Sequence, residues 1–248
     1  MNGPSCLLVI PSFRDALRLA PFLRDLMTSL PPAFQILVVD DGSGQAGVTA
    51  LQELIRREQM TSSHAGPMLL DPLLLAQNVG KGGAIYQGWR SRPSADLVAF
   101  ADADGAVPVK EIVRIWTAWP ELEADAVIAS RVQMLGRNVE RLAVRHYAGR
   151  VFATLVALLT GLSVYDSQCG FKMLRRGSFL AAERHGLLSE RFAFDVELLV
   201  ALTKADCRIV EFPVDWRDVA GGSVSLARHS VPMLRELVGI RFRHGRVR

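Results

Sequence analysis

The chain has 248 residues, half of them hydrophobic, with a net charge of +4. That is enough apolar material for one large core, and it excludes a disordered or fibrous protein. Three widely spaced cysteines, Cys6, Cys169 and Cys207, exclude a disulfide framework and a cysteine-based zinc site, and read as reduced thiols.

Taken in order, Cys6–Ile10 reads as a buried strand stopped by Pro11. Helical spacing follows from Asp15 to Leu30 through Leu19, Phe22, Leu23 and Leu26, and Pro31-Pro32 ends it. Ile36–Val39 is a second apolar strand that runs into Asp40-Asp41-Gly42-Ser43, with a helix over about 48–59. Met68–Leu70 predicts a third strand, and Asn78-Val79-Gly80-Lys81-Gly82-Gly83 opens a helix that reaches Trp89. Leu97–Ala101 predicts a fourth strand, ending in Asp102-Ala103-Asp104, and Pro108 then Lys110-Glu111 start the next helix. Ala124–Ala129 is a fifth strand, ending in Ser130-Arg131. Apolar strands alternating with helices predict an α/β fold whose parallel sheet is covered on both faces. Ligands of such sheets bind at the carboxyl ends of the strands, so four loops should converge on one crevice.

The second half predicts a helix over about 138–159, basic at first and then apolar nearly all round. Residues 166–172 interrupt the pattern. Phe194–Leu202 is helical and carries Asp195 and Glu197. Arg208–Phe212 predicts a strand closed by Pro213, and Gly221-Gly222-Ser223 a flexible loop. Ser230 can cap a last amphipathic helix with Val231, Leu234, Leu237 and Val238 on one face. No run reaches the ~18 apolar residues of a membrane span, and Met1–Ser5 lacks the basic start of a signal peptide. Basic charge is localised: six Arg against one Glu over 228–248, and five Arg against one Glu over 131–150. Such patches suit an anionic partner, here a membrane surface or a phosphorylated acceptor and not a nucleic acid.

Two carboxylates one residue apart at a strand end repel each other, so a cation is expected beside them. Oxygen-only ligands suit Mg²⁺ or Mn²⁺, which takes its remaining ligands from water and phosphates. Gly42-Ser43-Gly44-Gln45-Ala46-Gly47 also matches the dinucleotide fingerprint, with Asp71 about twenty residues on. Against that reading, Asp40-Asp41 would place negative charge beside a pyrophosphate, and the paired aspartates would have no role. Gly80–Gly83 lacks the spacing and the Ser/Thr of a P-loop.

Four stretches resemble glycosyltransferase family 2 and its GT-A fold: 9–15 (VIPSFRD), 38–43 (VVDDGS), 78–84 (NVGKGGA) and 101–106 (ADADGA). Residues 166–172 (DSQCGFK), 192–198 (FAFDVEL) and 213–216 (PVDW) are similar to the dolichyl-phosphate glucosyltransferase and polyprenyl-phosphate sugar synthase branch. The resemblance implies a GT-A domain over 1–225, with a C-terminal amphipathic helix and basic tail over 226–248. It implies that Pro11, Phe13 and Asp15 hold the nucleobase, that Asp40 bonds the uridine, and that Lys81 lies near the nucleotide. Asp102 would serve the ribose or the metal, Asp104 the metal, and Gln168 the nucleotide sugar. Arg131 and Arg145 match positions that hold an acceptor phosphate, while Asp195 or Glu197 would be the base for an alcohol acceptor or, in the case of Asp195, orient the loop around Gln168.

The implied activity is inverting transfer of a hexose, glucose from UDP-glucose in the favoured case, to a polyprenyl phosphate. The expected site of action is the cytoplasmic membrane face, with peripheral attachment through the apolar helix at 151–162 and the basic tail. Alternatives are a GDP-mannose donor, a non-lipid acceptor, or a catalytically silent nucleotide-sugar-binding adaptor. Three departures stand out. Phe13-Arg14-Asp15 replaces a Tyr-Asn-Glu pattern, Val224 replaces a Lys after Ser223, and Ala106 stands where some relatives have a metal-binding Gln.

Overall fold

The computed structural model describes residues 3–61, 65–140, 143–219 and 226–247, with side chains at all of these except 143–148 and 226–231. The elements in order are β1 (Cys6–Ser12), α1 (Ala16–Ser29), β2 (Phe34–Asp40), α2 (Gly44–Thr61), β3 (Met68–Leu69), β4 (Leu73–Leu74), α3 (Lys81–Ser91), β5 (Leu97–Ala101), α4 (Val109–Leu122), β6 (Ala126–Ser130), β7 (Val139–Glu140), α5 (Ala143–Thr160), β8 (Phe171–Arg175), α6 (Arg176–Arg184), α7 (Phe194–Lys204), β9 (Ile209–Pro213), β10 (Trp216–Arg217) and α8 (Leu226–His244). The main sheet has the order β3-β2-β1-β5-β8-β6-β9, with β4 also on β2. All its pairs are parallel except those of β8, which runs antiparallel between β5 and β6. The mostly parallel α/β sheet expected from the apolar strands is therefore what forms.

One core lies between the sheet and α1, α2 and α4, around Leu19, Phe22, Leu23, Leu51, Ile112 and Ile115. The other lies under α3, α6 and α7 and takes in Val156 of α5 and Leu237 and Ile240 of α8. Its centre is an aromatic cluster of Tyr86, Trp89, Phe100, Phe179 and Phe194, with ring centroids 5.0–6.3 Å apart. Trp89 Nε1 donates to the Ala99 carbonyl at 2.9 Å, so its polar edge is satisfied within the apolar layer.

The structure departs from the sequence expectations in several places. β1 runs through Pro11 to Ser12, because pairing with β5 has already ended at Val9 and no ladder donor is needed there. The helix expected from residue 138 starts at Ala143 instead. Residues 138–140 are drawn away, since Asn138 N–H donates to Asp215 Oδ1 at 3.0 Å and β7 pairs with β10. β4, β7, β8, β10 and α6 have no counterpart among the predicted elements. α8 begins at Leu226, so Ser230 lies inside the helix and is not its cap. The buried face of α8 is Leu237, Ile240 and His244, whereas Leu234, Val238 and Phe242 are exposed. The loop at 221–223 and Val224 lie outside the described residues, and so do the side chains of Arg145, Arg228, Ser230 and Val231.

α8 is tied to α7 through Glu197. Its Oε1 accepts from Arg243 Nε at 3.0 Å and lies 3.1 Å from His244 Nε2, and its Oε2 accepts from Leu188 N–H at 2.7 Å and from Ser189 N–H. Burial raises the pKa of Glu197, but the hydrogen bonds from His244, Ser189 and Arg243 outweigh it and bring the carboxyl down to about 2. A depressed carboxyl pKa stabilises the fold above its ordinary value near 4.5, and the contribution is lost as pH falls from there to about 2. Urea unfolding across pH 2–6 is expected to show a steep acid loss in the native chain. In Glu197→Gln that limb should flatten, with lower stability at pH 6; an unchanged limb would remove Glu197 as its source.

Candidate active site

The carboxyl ends of β1, β2, β5 and β6 and the amino end of the antiparallel β8 meet at one edge of the sheet. There Asp102 N–H donates to the Gly170 carbonyl at 3.0 Å, joining the paired-aspartate turn to the start of β8. The approach is tight: a Cβ on Gly170 would lie 2.5 Å from Asp102 Oδ2. Gly105, at φ +65°, turns the chain back so that Ala106 N–H reaches Asp104 Oδ1 at 3.0 Å.

Charges of both signs alternate at this edge. Lys81, at the first turn of α3, brings Nζ to 2.6 Å from Asp102 Oδ1 and lies over the rings of Phe100 and Phe194. Arg18 Nη2 lies 3.2 Å from Asp104 Oδ2. Burial works against the Lys81 ammonium, but Asp102, then Asp195 and Asp104, more than offset it, so its pKa is raised. Burial, and then the neighbouring charge of Asp102, raise the pKa of Asp104. Behind them Asp195 is ion-paired with Lys172 of β8, and both are buried. Burial raises the pKa of Asp195 against the pull of Lys172 and Lys81. Lys172 Nζ also donates to the Cys169 carbonyl at 3.2 Å, so the Lys172–Asp195 pair pins the 166–170 loop. Gln168 adds a second tie, its Nε2 donating to the Phe192 carbonyl at 3.2 Å.

Of the residues assigned to the nucleotide side, Pro11 is the penultimate residue of β1, Phe13 is 44% exposed beneath the Arg14 guanidinium, and Asp15 precedes α1. Burial raises the pKa of Asp15, with Arg18 opposing. Asp40 is buried at the end of β2, and its Oδ2 accepts from Ser43 N–H at 2.9 Å. Its neighbour Asp41 holds the glycine loop before α3, accepting from Val79 N–H at 2.7 Å and Gly80 N–H at 3.0 Å. Arg131 forms a bidentate pair with Asp166 at 2.6 and 2.7 Å, in a recess it shares with Arg150, Tyr165 and Gln168. Burial alone would lower its pKa; Asp166 raises it well above the usual arginine range.

The edge therefore gathers Lys81, Asp102, Asp104, Asp195, Gln168 and Arg131. Glu197, the other candidate base, points away toward α8. Sequence reasoning gave no individual role to Lys172, Asp166 or Asp41. The available signal for Lys172 was a lone lysine inside the apolar run 171–174, a charge that has to be paired if the run is a buried strand.

The two aspartates fit a hard divalent ion. Asp102 Oδ1 is ion-paired with Lys81 Nζ at 2.6 Å, and the remaining lone pairs of the two carboxylates leave them acceptor capacity for an ion. No cluster of three acidic, His or Cys side chains able to hold a metal occurs among the described residues. An ion here would rest on Asp102 and Asp104 and complete its shell from water and bound phosphate.

Removing one member of a buried ion pair strands the other charge. Asp195→Asn is expected to cost about 3–5 kcal/mol in urea unfolding. Adding Lys172→Met to it should recover much of that loss in a double-mutant cycle. Additive losses would show that the two groups are not coupled.

Glycosyl transferase family 2 matches residues 7–181 of the chain. The dolichyl-phosphate beta-glucosyltransferase of Saccharomyces cerevisiae is 31% identical over 94% of this chain and 73% of its own length. Among solved structures, glucosyl-3-phosphoglycerate synthase from Mycobacterium tuberculosis bound to UDP superposes with a TM-score of 0.67 at 17% identity, covering 98% of this chain and 81% of that one. A mannosyltransferase from Pyrobaculum calidifontis, solved with GDP-mannose and Mn²⁺, also gives 0.67 at 16% identity, covering all of this chain and 67% of that one. The sheet order, the paired aspartates at its carboxyl edge and these matches agree: the chain belongs to glycosyl transferase family 2 and is a glycosyltransferase with the GT-A fold.

Proposed function

We propose that this glycosyltransferase moves glucose from UDP-glucose to a polyprenyl phosphate, with inversion, at the cytoplasmic face of a membrane. The observation that carries the acceptor class is the state of the two candidate bases. Asp195 is buried against Lys172, and Glu197 is spent on α8 and the 188–189 amides. An alcohol acceptor needs a free base to take its proton. A phosphate monoester is already an anion, with a second pKa of about 6, and needs only to be positioned. The yeast relative is named for a dolichyl phosphate substrate, in keeping with this choice.

The acceptor oxygen would attack the anomeric carbon on the face opposite the diphosphate. The bond from carbon to the diphosphate oxygen would break, the nucleoside diphosphate would leave with the electron pair, and no proton would move. When bound to Asp102 and Asp104, a Mg²⁺ or Mn²⁺ ion supplies positive charge for the leaving diphosphate. Lys81 adds a fixed cation to that side. Arg131, with Arg145 on α5, would orient the acceptor phosphate, and Gln168 would help hold the sugar. Pro11, Phe13, Asp15 and Asp40 would frame the base and ribose. Asp195 would act as a positioning residue that holds the 166–170 loop through Lys172.

No helix among the described residues is long and apolar enough to cross a membrane. Val151 and Leu158 of α5 are exposed, as are Leu234, Val238 and Phe242 of α8, which packs on α5. With the exposed Arg235 and Arg246 nearby in sequence, this face suits an anionic lipid surface, each cation contributing about 1 kcal/mol there.

The test is transfer of radiolabelled sugar from UDP-glucose or GDP-mannose, with Mg²⁺ or Mn²⁺, into organic-extractable lipid from short polyprenyl phosphates. Chelator-sensitive label from UDP-glucose is the expected result, lowered at least about 10²-fold in Asp104→Ala. Label from GDP-mannose alone would overturn the donor assignment. No label from either donor, in protein that binds a nucleotide sugar, would overturn the acceptor assignment.

A further inference from the structure

The loop 187–193 lies between the C-terminal helix and the start of α3, and it is held from both sides. On the α8 side, Glu236 Oε2 accepts from Ala193 N–H at 3.0 Å. Arg243 Nη2 donates to Ser189 Oγ at 3.0 Å and also to Glu197, whose Oε2 accepts the Leu188 and Ser189 amides. On the α3 side, the Glu190 carbonyl accepts from Gly83 N–H at 2.9 Å. The contact is close enough to require glycine: a Cβ on Gly80, at φ +96°, would sit 2.7 Å from that carbonyl, and one on Gly82 would sit 2.3 Å from Phe194 Cβ. Lys81 stands between those two glycines, and its ammonium reaches Asp102 across the Phe194 ring.

We propose that Glu236 is a positioning residue for the nucleotide-sugar site: through the 188–193 loop, together with Glu197, it fixes the first turn of α3 and so the placement of Lys81. The inference rests on the donor reading above. Its logic is one of constraint. The Glu190 carbonyl holds the Gly83 amide only if the loop backbone is fixed. Two carboxylates, neither of which touches the sheet edge, fix the loop near its start and at its end. Loss of the Glu236 acceptor frees Ala193, one residue from Phe194 and three from Glu190. The same coupling makes the donor site depend on α8 in addition to the residues that line it.

The test uses the full chain, with calorimetric titration of UDP and Mg²⁺ beside amide hydrogen exchange. Glu236→Ala is expected to weaken UDP binding about tenfold, the scale of one lost hydrogen bond, and to speed exchange at 188–193 and at Gly83. Glu236→Gln keeps an oxygen that can accept the Ala193 amide and should restore both readouts. Ile112→Val, which thins the core on the opposite face of the sheet, should lower Tm yet leave both unchanged. The proposal is overturned if Glu236→Ala leaves UDP affinity and Gly83 exchange as in the native chain. It is equally overturned if Ile112→Val weakens UDP to the same extent. A native chain that binds no UDP overturns the donor reading instead, and Gly83 exchange, which needs no ligand, still decides the coupling.

Discussion

The site depends on the cost of burying like charges. Asp102, Asp104 and Asp195 are brought to one sheet edge, Asp195 buried and the other two partly so, and like charges this close, one of them taken out of water, need compensating cations. Lys81 and Lys172 supply that compensation from two different elements, α3 and β8. Phe100 lies within 5.3 Å of both ammonium groups, so its ring face adds to their stabilisation while excluding solvent. The antiparallel strand is thus more than a filler between β5 and β6. It carries the buried lysine, and its leading glycine lets the paired-aspartate turn pack without a Cβ in the way.

Most of the sheet and the carboxylate turn could be read from the letters because a parallel strand buried on both faces is a continuous apolar run. The same rule concealed β8, whose run contains a lysine and follows a stretch of loop residues. α6 was hidden by its length, since nine residues give too few turns for a clear period. The misplaced start of α5 has a tertiary cause: Asp215, 77 residues from Asn138, holds its amide and diverts 138–140 into a two-stranded ladder. Lys81, Asp102 and Asp104 could be picked out because each stands at an element boundary with a recognisable turn. The pairing of Arg131 with Asp166 could not, because nothing in the sequence links positions 35 apart.

The glycine-rich stretch after β2 shows how a short pattern misleads. A dinucleotide site would leave the amides at the start of α2 free for a phosphate. Here Asp40 already accepts from Ser43 N–H, and Ser43 Oγ accepts from Arg14 N–H. A Cβ on Gly42 would lie 2.5 Å from Asn78 N, so this glycine serves loop-to-loop packing. Asp41 next to it takes the Val79 and Gly80 amides. The two acids at the carboxyl end of β2 therefore organise the loops on either side and keep negative charge where the dinucleotide reading would place a pyrophosphate.

Asp195 and Glu197 sit two residues apart on α7, about 200° apart around its axis at 3.6 residues per turn. That geometry prevents them from acting on the same atom. One carboxylate faces Lys172 and the sheet edge, and the other faces α8 and the 188–189 amides. The pair looks in sequence like a choice between two candidate bases. In the fold it is a brace across the helix, holding the 166–170 loop from one side and the 188–193 loop from the other. Because Glu197 is engaged by backbone amides and α8 and Asp195 is paired with the buried Lys172, an acceptor that arrives already charged suits this edge best.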